Sequence, residues 1–366
     1  MKKIRSFGFA TLILLWAALV AGSWFGPAKD ISESERRPLA QLPELSVKTV
    51  WEGKFMGKFE NYTLDQFPMR DTFRQIKSLF HYNALGMSDN NDIYLAGDFA
   101  VKQDYPLNEV SLKHALERFN HIYDTYLADS GSDVFMSVVP DKGYYLSEST
   151  GHLALDYGAL FDRVAEEMPW ATHVDITDCL GPMDYYFTDT HWRQEKLLPV
   201  AERLCEALEV SSFTEEELTV KALERPFYGV YYGQAALPMN PETLYVMENE
   251  LLNGCTVYDH ETGKTGTIYD WSKLDSRDLY DVYLSGARSL LTIENPGAAT
   301  DRELIVFRDS FGSSLIPLLV KDYATVTVVD IRYIASDLVG NFVDFHGQDV
   351  LMLYSTLILN SSNSLK

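Results

Sequence analysis

Three continuous apolar runs near the C-terminus constrain this chain most: Leu304-Ile305-Val306-Phe307, Thr325-Val326-Thr327-Val328-Val329 and Val350-Leu351-Met352-Leu353-Tyr354. A strand that is apolar on both sides has no wet face, so it belongs inside a sheet covered on both sides. Segments with a helical pattern, 311–321 and 334–345, separate the runs, and repeated strand–helix–strand units build a parallel sheet. A further run, Val134-Phe135-Met136-Ser137-Val138-Val139, stops at Pro140 and reads as another strand. Helical spacing marks Val110, Ala115, Phe119, Ile122, Tyr123 and Tyr126, and again residues 160–168 and 197–208. Pro199 must then sit in a first turn or at a kink. Residues 172–176 read as a short strand. The expected class is α/β, a parallel sheet flanked by helices. Residues 215–300 break this rhythm; rich in Tyr, Gly and Asn, they are expected to form an irregular insertion with short strands near the site.

The other end of the chain is different in kind. Lys2, Lys3 and Arg5 precede an uncharged run of 20 residues, 7–26. At ~1.5 Å per residue a helix of that length crosses a bilayer. Its basic flank stays in the cytoplasm, which places the remainder outside. A signal segment cleaved near Ala18, Ala21, Gly22 or Ser23 is the alternative, giving a secreted protein. The expected organisation is an anchor or signal segment over 1–28, an extended tether over 29–54 with Pro38, Pro43 and the charges Glu33, Glu35, Arg36 and Arg37, and an α/β domain over 55–366. Helices are expected within 55–85, interrupted at Pro68.

Charge and cysteine content exclude several functions. The formal charge is −22, from 31 Lys and Arg against 53 Asp and Glu. Such a surface repels nucleic acid, which we exclude as a partner, and it disfavours polybasic docking on lipid. Cys179, Cys205 and Cys255 make neither a CxxC pair nor a zinc pattern, and the acidic residues show no metal-ligand spacing. No metal and no cofactor is expected.

Two segments can carry chemistry: Phe187-Thr188-Asp189-Thr190-His191-Trp192 and Phe307-Arg308-Asp309-Ser310-Phe311-Gly312. Ser310 follows a buried strand and precedes a helical pattern, where ligands of open parallel sheets bind. The amides opening that helix are candidate donors to a developing oxyanion. By itself the serine reads equally as a helix cap. A serine hydroxyl needs a base, histidine serves near neutral pH, and a carboxylate must orient the histidine. His191 and Asp189 supply both types, although Asp189 or Thr190 as a helix cap explains the segment as well.

Together the two segments resemble the DHHW family and, through it, the alginate acetyltransferases with SGNH-like domains. Asp189-Thr190-His191-Trp192 is similar to that family's Asp-x-His-Trp signature, and Asp309-Ser310-Phe311 to its serine block. Asp65-Gln66-Phe67-Pro68-Met69-Arg70-Asp71, Val139-Pro140-Asp141-Lys142, Phe227-Tyr228-Gly229 and Asp330-Ile331-Arg332-Tyr333 resemble further family segments, in order, from about residue 30 to 358. The resemblance implies an SGNH-hydrolase-like fold in permuted order, with Asp-x-His before Ser, and a catalytic set of Ser310, His191 and Asp189. Arg308 stands where SGNH hydrolases carry Gly. Lys142, Arg332 and Asp309 are candidates for an oxyanion or substrate contact, with surface ion pairing the alternative for Lys142 and Arg332. Trp192 is expected near the site, stacking on sugar or packing. The resemblance further implies O-acyl transfer to an extracellular glycan acceptor through an acyl-serine, with a membrane-bound O-acyltransferase as acyl supplier. Ester hydrolysis by the same residues, or a non-catalytic glycan-binding or assembly role, are the alternatives.

Overall fold

The computed structural model describes residues 2–32 and 34–366, and of residues 2–7 the backbone alone. Glu33, counted with the tether charges, lies outside the described residues. The chain divides into two units: residues 1–91 with 232–238, and residues 92–231 with 239–366.

The first unit is helical. Helix α1 (Lys2–Phe25) contains the stretch Gly8–Phe25, long and apolar enough to cross a membrane. Helices α2 (Val47–Trp51), α3 (Lys54–Asp65) and α4 (Arg70–Asn83) follow. The break between α3 and α4 falls around Pro68, as expected, where Met69 adopts a left-handed conformation. The segment expected as an extended tether is pinned to these helices. Ile31–Ser32 pairs with Arg37–Pro38. Arg37 grips Asp65 through both terminal nitrogens, at 2.9 and 2.6 Å, and Glu35 pairs with Arg70 and, at 3.4 Å, with Arg74. Opposite charges placed 28 to 39 residues apart draw the segment onto the helices, which composition alone does not reveal.

The second unit is an α/β sandwich on an eight-stranded sheet. In chain order its strands are β1 (Val134–Val139), β2 (Thr172–His173), β3 (Thr256–Asp259), β4 (Lys264–Gly266), β5 (Leu290–Glu294), β6 (Glu303–Arg308), β7 (Thr325–Val329) and β8 (Asp349–Ser355). Across the sheet the order is β4-β3-β5-β7-β6-β8-β1-β2. From β7 to β2 all pairings are parallel; β5, β3 and β4 extend the sheet antiparallel. Segment 215–300 therefore supplies three sheet strands, besides a hairpin of Thr219–Phe227 with Glu242–Glu248. Strands β3 and β4 are short and partly wet, so their apolar pattern is faint in the sequence, while β5 is buried but only five residues long.

Both faces of the parallel half are covered, as the apolar runs require. Leu304, Val306, Leu351 and Leu353 pack with α8 (Leu198–Ala207) and residues 315–320. Ile305, Phe307, Val350 and Met352 pack on the other face with α5 (Glu109–Ile122) and α7 (Tyr157–Glu167). Each such side chain contributes about 1.5–3 kcal/mol on burial, so the paired cores fix the register of β6 against its neighbours. Pro199 sits in the first turn of α8. The helix expected over 311–321 shrinks to Gly312–Leu315, continued as a 3-10 turn where Pro317 withholds its N–H. That expected over 334–345 is a 3-10 turn, Ser336–Asn341.

Candidate active site

Four buried aspartates in the second unit share one local device. The side chains of Asp141, Asp189, Asp309 and Asp330 each accept the backbone N–H two residues onward, at 2.9, 3.1, 2.9 and 3.1 Å. Such turns hold the intervening residues in a fixed, non-helical shape. Three of the four follow the C-terminal ends of β1, β6 and β7, the edge where open sheets place their sites.

Beyond β6, Asp309 organises the serine. Its Oδ2 accepts from Ser355 N at 2.8 Å and Ser355 Oγ at 2.6 Å, which ties the turn to the end of β8. Ser310 itself is half-buried. The amides that open the following helix are mostly engaged: Phe311 N donates to Asp309 Oδ1, Gly312 N to Asp309 O and Ser313 N to Ser310 O. Ser310 N–H has no acceptor among the described residues, which leaves it as the backbone candidate for an oxyanion.

The base arrives from a loop far away in sequence. His191 Nε2 lies 2.8 Å from Ser310 Oγ, and Nδ1 lies 2.6 Å from Asp189 Oδ1. With the proton on Nδ1, the tautomer an adjacent carboxylate favours, Nε2 accepts the serine proton. His191 is 7% exposed and Asp189 is buried. The ring is clamped between Tyr280, stacked at 3.9 Å and 8°, and Phe311 at 5.0 Å. Tyr280 OH meets Ser314 Oγ at 2.7 Å, so the clamp is anchored to the serine helix.

Residues that sequence reading missed hold this loop in shape. Val230 N donates to Asp189 Oδ2 at 2.7 Å. Glu242 accepts from Phe187 N, Thr188 N and Thr188 Oγ1 at 2.8, 2.7 and 2.8 Å. Gly229 N donates to Thr188 Oγ1, and a Cβ at Gly229 would stand 2.2 Å from the Thr188 carbonyl. Only glycine allows that approach. Phe227-Tyr228-Gly229 was visible as a family-like segment, but nothing in it announces a backbone contact.

The remaining candidates fall into different places. Trp192 is fully buried and donates from Nε1 to Phe311 O and Ser314 Oγ, both at 3.0 Å; it packs behind the serine turn and offers no ring to a sugar. Lys142 is buried as well, with Nζ donating to the carbonyls of Ala100, Tyr186 and Phe187 at 2.5, 2.9 and 3.3 Å. It is neither a surface ion pair nor free for an oxyanion, but it braces the chain just before Asp189. Burial pushes its ammonium down to about 7, against the opposing pull of Asp189, Glu242 and Asp141. Arg332 holds Asp330 through two hydrogen bonds, at 2.9 and 2.6 Å. Arg308 is completely buried; it donates to Ser313 Oγ and Gly286 O at 3.0 Å each and lies 3.7 Å from Asp330. Its stem rests against Gly312, where a Cβ would come within 2.8 Å. The arginine in the usual glycine position thus braces the serine turn from inside. Among the described residues no cluster of His, Cys, Asp and Glu has the makings of a metal site.

The arrangement can deprotonate Ser310 in place and hold the resulting imidazolium against Asp189, the requirement for nucleophilic attack on an ester. Comparison with known proteins agrees on the architecture. None of the curated proteins matches. A DHHW family protein from Eubacterium siraeum is similar in structure, with 20% identity, a TM-score of 0.62, and coverage of 75% of this chain and 94% of that one. Bacillus cereus PatB1, in a structure with a sulfonyl adduct, is similar at 14% identity and a TM-score of 0.58, covering 73% and 95% of the two chains. The O-acetyltransferase domain of Pseudomonas putida AlgJ gives 16% identity and a TM-score of 0.44, covering 73% and 92%. Residues 182–329, which include both the Asp189–His191 loop and Ser310, match the family model described as DHHW protein, and the α/β fold is the one these solved structures share.

Proposed function

We propose that this chain is an extracytoplasmic serine O-acyltransferase, in which Ser310 takes an acyl group, acetyl in the simplest case, and passes it to a hydroxyl of a cell-surface glycan. The observation that carries the reading is the continuous relay Asp189–His191–Ser310, with links of 2.6 and 2.8 Å. In the first half-reaction Ser310 Oγ attacks the donor carbonyl while its proton passes to His191. The tetrahedral intermediate then expels the donor's alcohol or thiol, which His191 protonates. In the second half a glycan hydroxyl gives its proton to His191, attacks the acyl-serine and leaves as the ester, restoring Ser310. Water in place of the glycan gives an esterase by the same steps. The PatB1 structure carries a sulfonyl adduct, and sulfonyl reagents are the matching probe for the serine here. A membrane-bound acyltransferase is the partner that would supply acyl groups, since α1 is the one helix among the described residues long and apolar enough to span.

The test is intact mass of the protein after 4-nitrophenyl acetate, with and without Ser310→Ala. An acetyl adduct on the parent chain and none on the variant is the expected result. Equal labelling of both chains, or of neither with either an acetyl or a sulfonyl reagent, leaves the binding or assembly role. Addition of candidate glycans then separates transfer from hydrolysis by where the acetyl group ends.

A further inference from the structure

Helix α4 is an amphipathic helix turned inside out. Its polar residues meet protein: Arg70 pairs with Glu35, Arg74 Nη2 donates to Gly233 O at 2.7 Å, and Ser78 Oγ donates to Ala235 O at 2.7 Å. Ser78 is its one buried residue. Its apolar residues face outward, with one edge contact between Phe73 and Phe67, ring centroids 5.5 Å apart. Met69, just before the helix, and Phe73, Ile76 and Phe80 recur at i, i+4, i+7 and i+11, a single stripe at 3.6 residues per turn. They are 65, 42, 54 and 55% exposed. A helix bordered by water shows the reverse arrangement, and a contiguous apolar stripe of this kind marks a surface meant to be covered. Helix α3 beside it has no buried residue either, and exposes Met56 and Leu64.

The neighbourhood indicates what covers the stripe. At the end of α1 the Trp24 ring lies 6.1 Å from Phe59, which is 5.7 Å from Phe55 and 6.3 Å from Tyr62. The Gln66 side chain holds both Lys29 N and Lys29 O at 2.8 Å. A Cβ on Gly22 would stand 2.9 Å from Pro68. The α3–α4 turn is therefore fixed within a few residues of the end of an apolar helix none of whose Gly8–Phe25 stretch is buried. Where such a helix enters a bilayer, Trp and Tyr collect at the water interface, and Trp24 and Tyr62 are grouped at that level. Charge permits the contact. Residues 44–85 hold six Lys and Arg against five Asp and Glu, near neutrality, in a chain of net −22. The acidic surface that disfavours lipid headgroups lies elsewhere.

We infer that Met69, Phe73, Ile76 and Phe80 lie in the interfacial layer of a lipid bilayer, so that α3 and α4 form a platform resting on the membrane beside α1. The platform goes beyond acyl transfer and rests only on α1 entering the membrane. It makes the attachment two-part: a spanning helix and a half-buried raft one short turn away.

Collisional spin-label measurements on the full chain in phosphatidylcholine vesicles test this. Labels are placed singly at Ile76→Cys, at Phe80→Cys and, on the opposite face of the helix, at Asp71→Cys, all exposed positions, in a Cys179→Ser background; Cys205 and Cys255 are buried. Oxygen, which concentrates in lipid, is expected to collide with the labels at 76 and 80 several times more often than a water-soluble nickel complex does. The preference reverses at 71. Nickel collisions at 76 and 80 matching those at 71 would place the stripe in water and overturn the proposal. Shielding from both reagents would mean a protein partner covers it, which also overturns it. Ser310-dependent acetylation, read on the same samples, keeps a failure of catalysis separate from a failure of the platform.

Discussion

Asp189 and Asp309 open two turns of the same design, and only one of the two carboxylates touches a titratable side chain of the candidate relay. Each aspartate accepts the N–H two residues on with one carboxylate oxygen. Asp189 uses that same Oδ1 for His191 Nδ1 at 2.6 Å, so its charge bears on a group that must gain and lose a proton. Asp309 gives its other oxygen to Ser355 N and Oγ, partners that never change state. In the proposed relay the Asp189 carboxylate takes part directly, whereas the Asp309 carboxylate holds the frame around Ser310. Identical local geometry thus says nothing about role until every partner of the carboxylate is known.

That contrast is open to direct attack, and Asp189→Asn is the sharpest blow. It keeps the size and the Asx turn but removes the charge that orients and stabilises the imidazolium. Acyl-enzyme formation is expected to fall by roughly 10³–10⁴-fold, with a small change in Tm. A loss of less than tenfold would place Asp189 with the frame. Asp309→Asn should behave the other way. Its amide would face the Ser355 donors, at a cost of about 2–4 kcal/mol in unfolding free energy, while the protein that remains folded keeps most of its turnover. Denaturation monitored alongside burst kinetics distinguishes the two; a stable but inactive Asp309→Asn would make Asp309 a participant.

The smallest expected effect comes from an acid with neither job. Asp104 has one carboxylate oxygen buried without a partner, and burial pushes its pKa up to about 6, helped by repulsion from Asp141 and opposed by Asn360. Its folded-state pKa lies above the unfolded value of about 3.9, so the folded state holds the proton more tightly. The associated stability is complete below about pH 4 and is lost as pH rises through about 6. Asp104→Asn should therefore raise stability by about 1–2 kcal/mol at pH 7.5 and leave it nearly unchanged at pH 4, with turnover unaffected. An equal Tm gain at both pH values would rule out the carboxylate charge as the cause.

How far the sequence spoke depends on what kind of contact made each feature. The strands of the parallel half were legible because Leu304–Phe307 and its fellows are apolar on both faces, a pattern with one physical outcome. Strands β3 and β4 were not, since short, half-wet strands at the end of a sheet have no such signature, and β5, though buried, is a run of five residues isolated in an irregular stretch. Ser310, His191 and Asp189 stood out by chemical type, and the structure brings them together. The parts that shape the site did not stand out, because Val230 and Gly229 act through backbone, Glu242 through backbone amides, and Tyr280 through the face of its ring. Lys142 looked available because a lysine ordinarily seeks water; three inward carbonyls overrode that preference. Trp192, expected near the site as a stacking or packing residue, packs behind the serine turn, and Arg308, read only as standing at a glycine position, is buried beside it.

The position of β6 has a consequence for the chain during its synthesis. That strand lies between β7 and β8, both of which are made after it, and the turn it carries hangs on Ser355. Translation delivers His191 119 residues before Ser310, and the partner that locks Asp309 46 residues later than Asp309 itself. A nascent polypeptide emerging from the ribosome thus carries the His191 loop before it has Ser310, and then Ser310 on a turn with no lock. A stalled or prematurely terminated product that lacks Ser355 leaves that turn untethered, so the geometry of the relay is complete only once the last strand is in place.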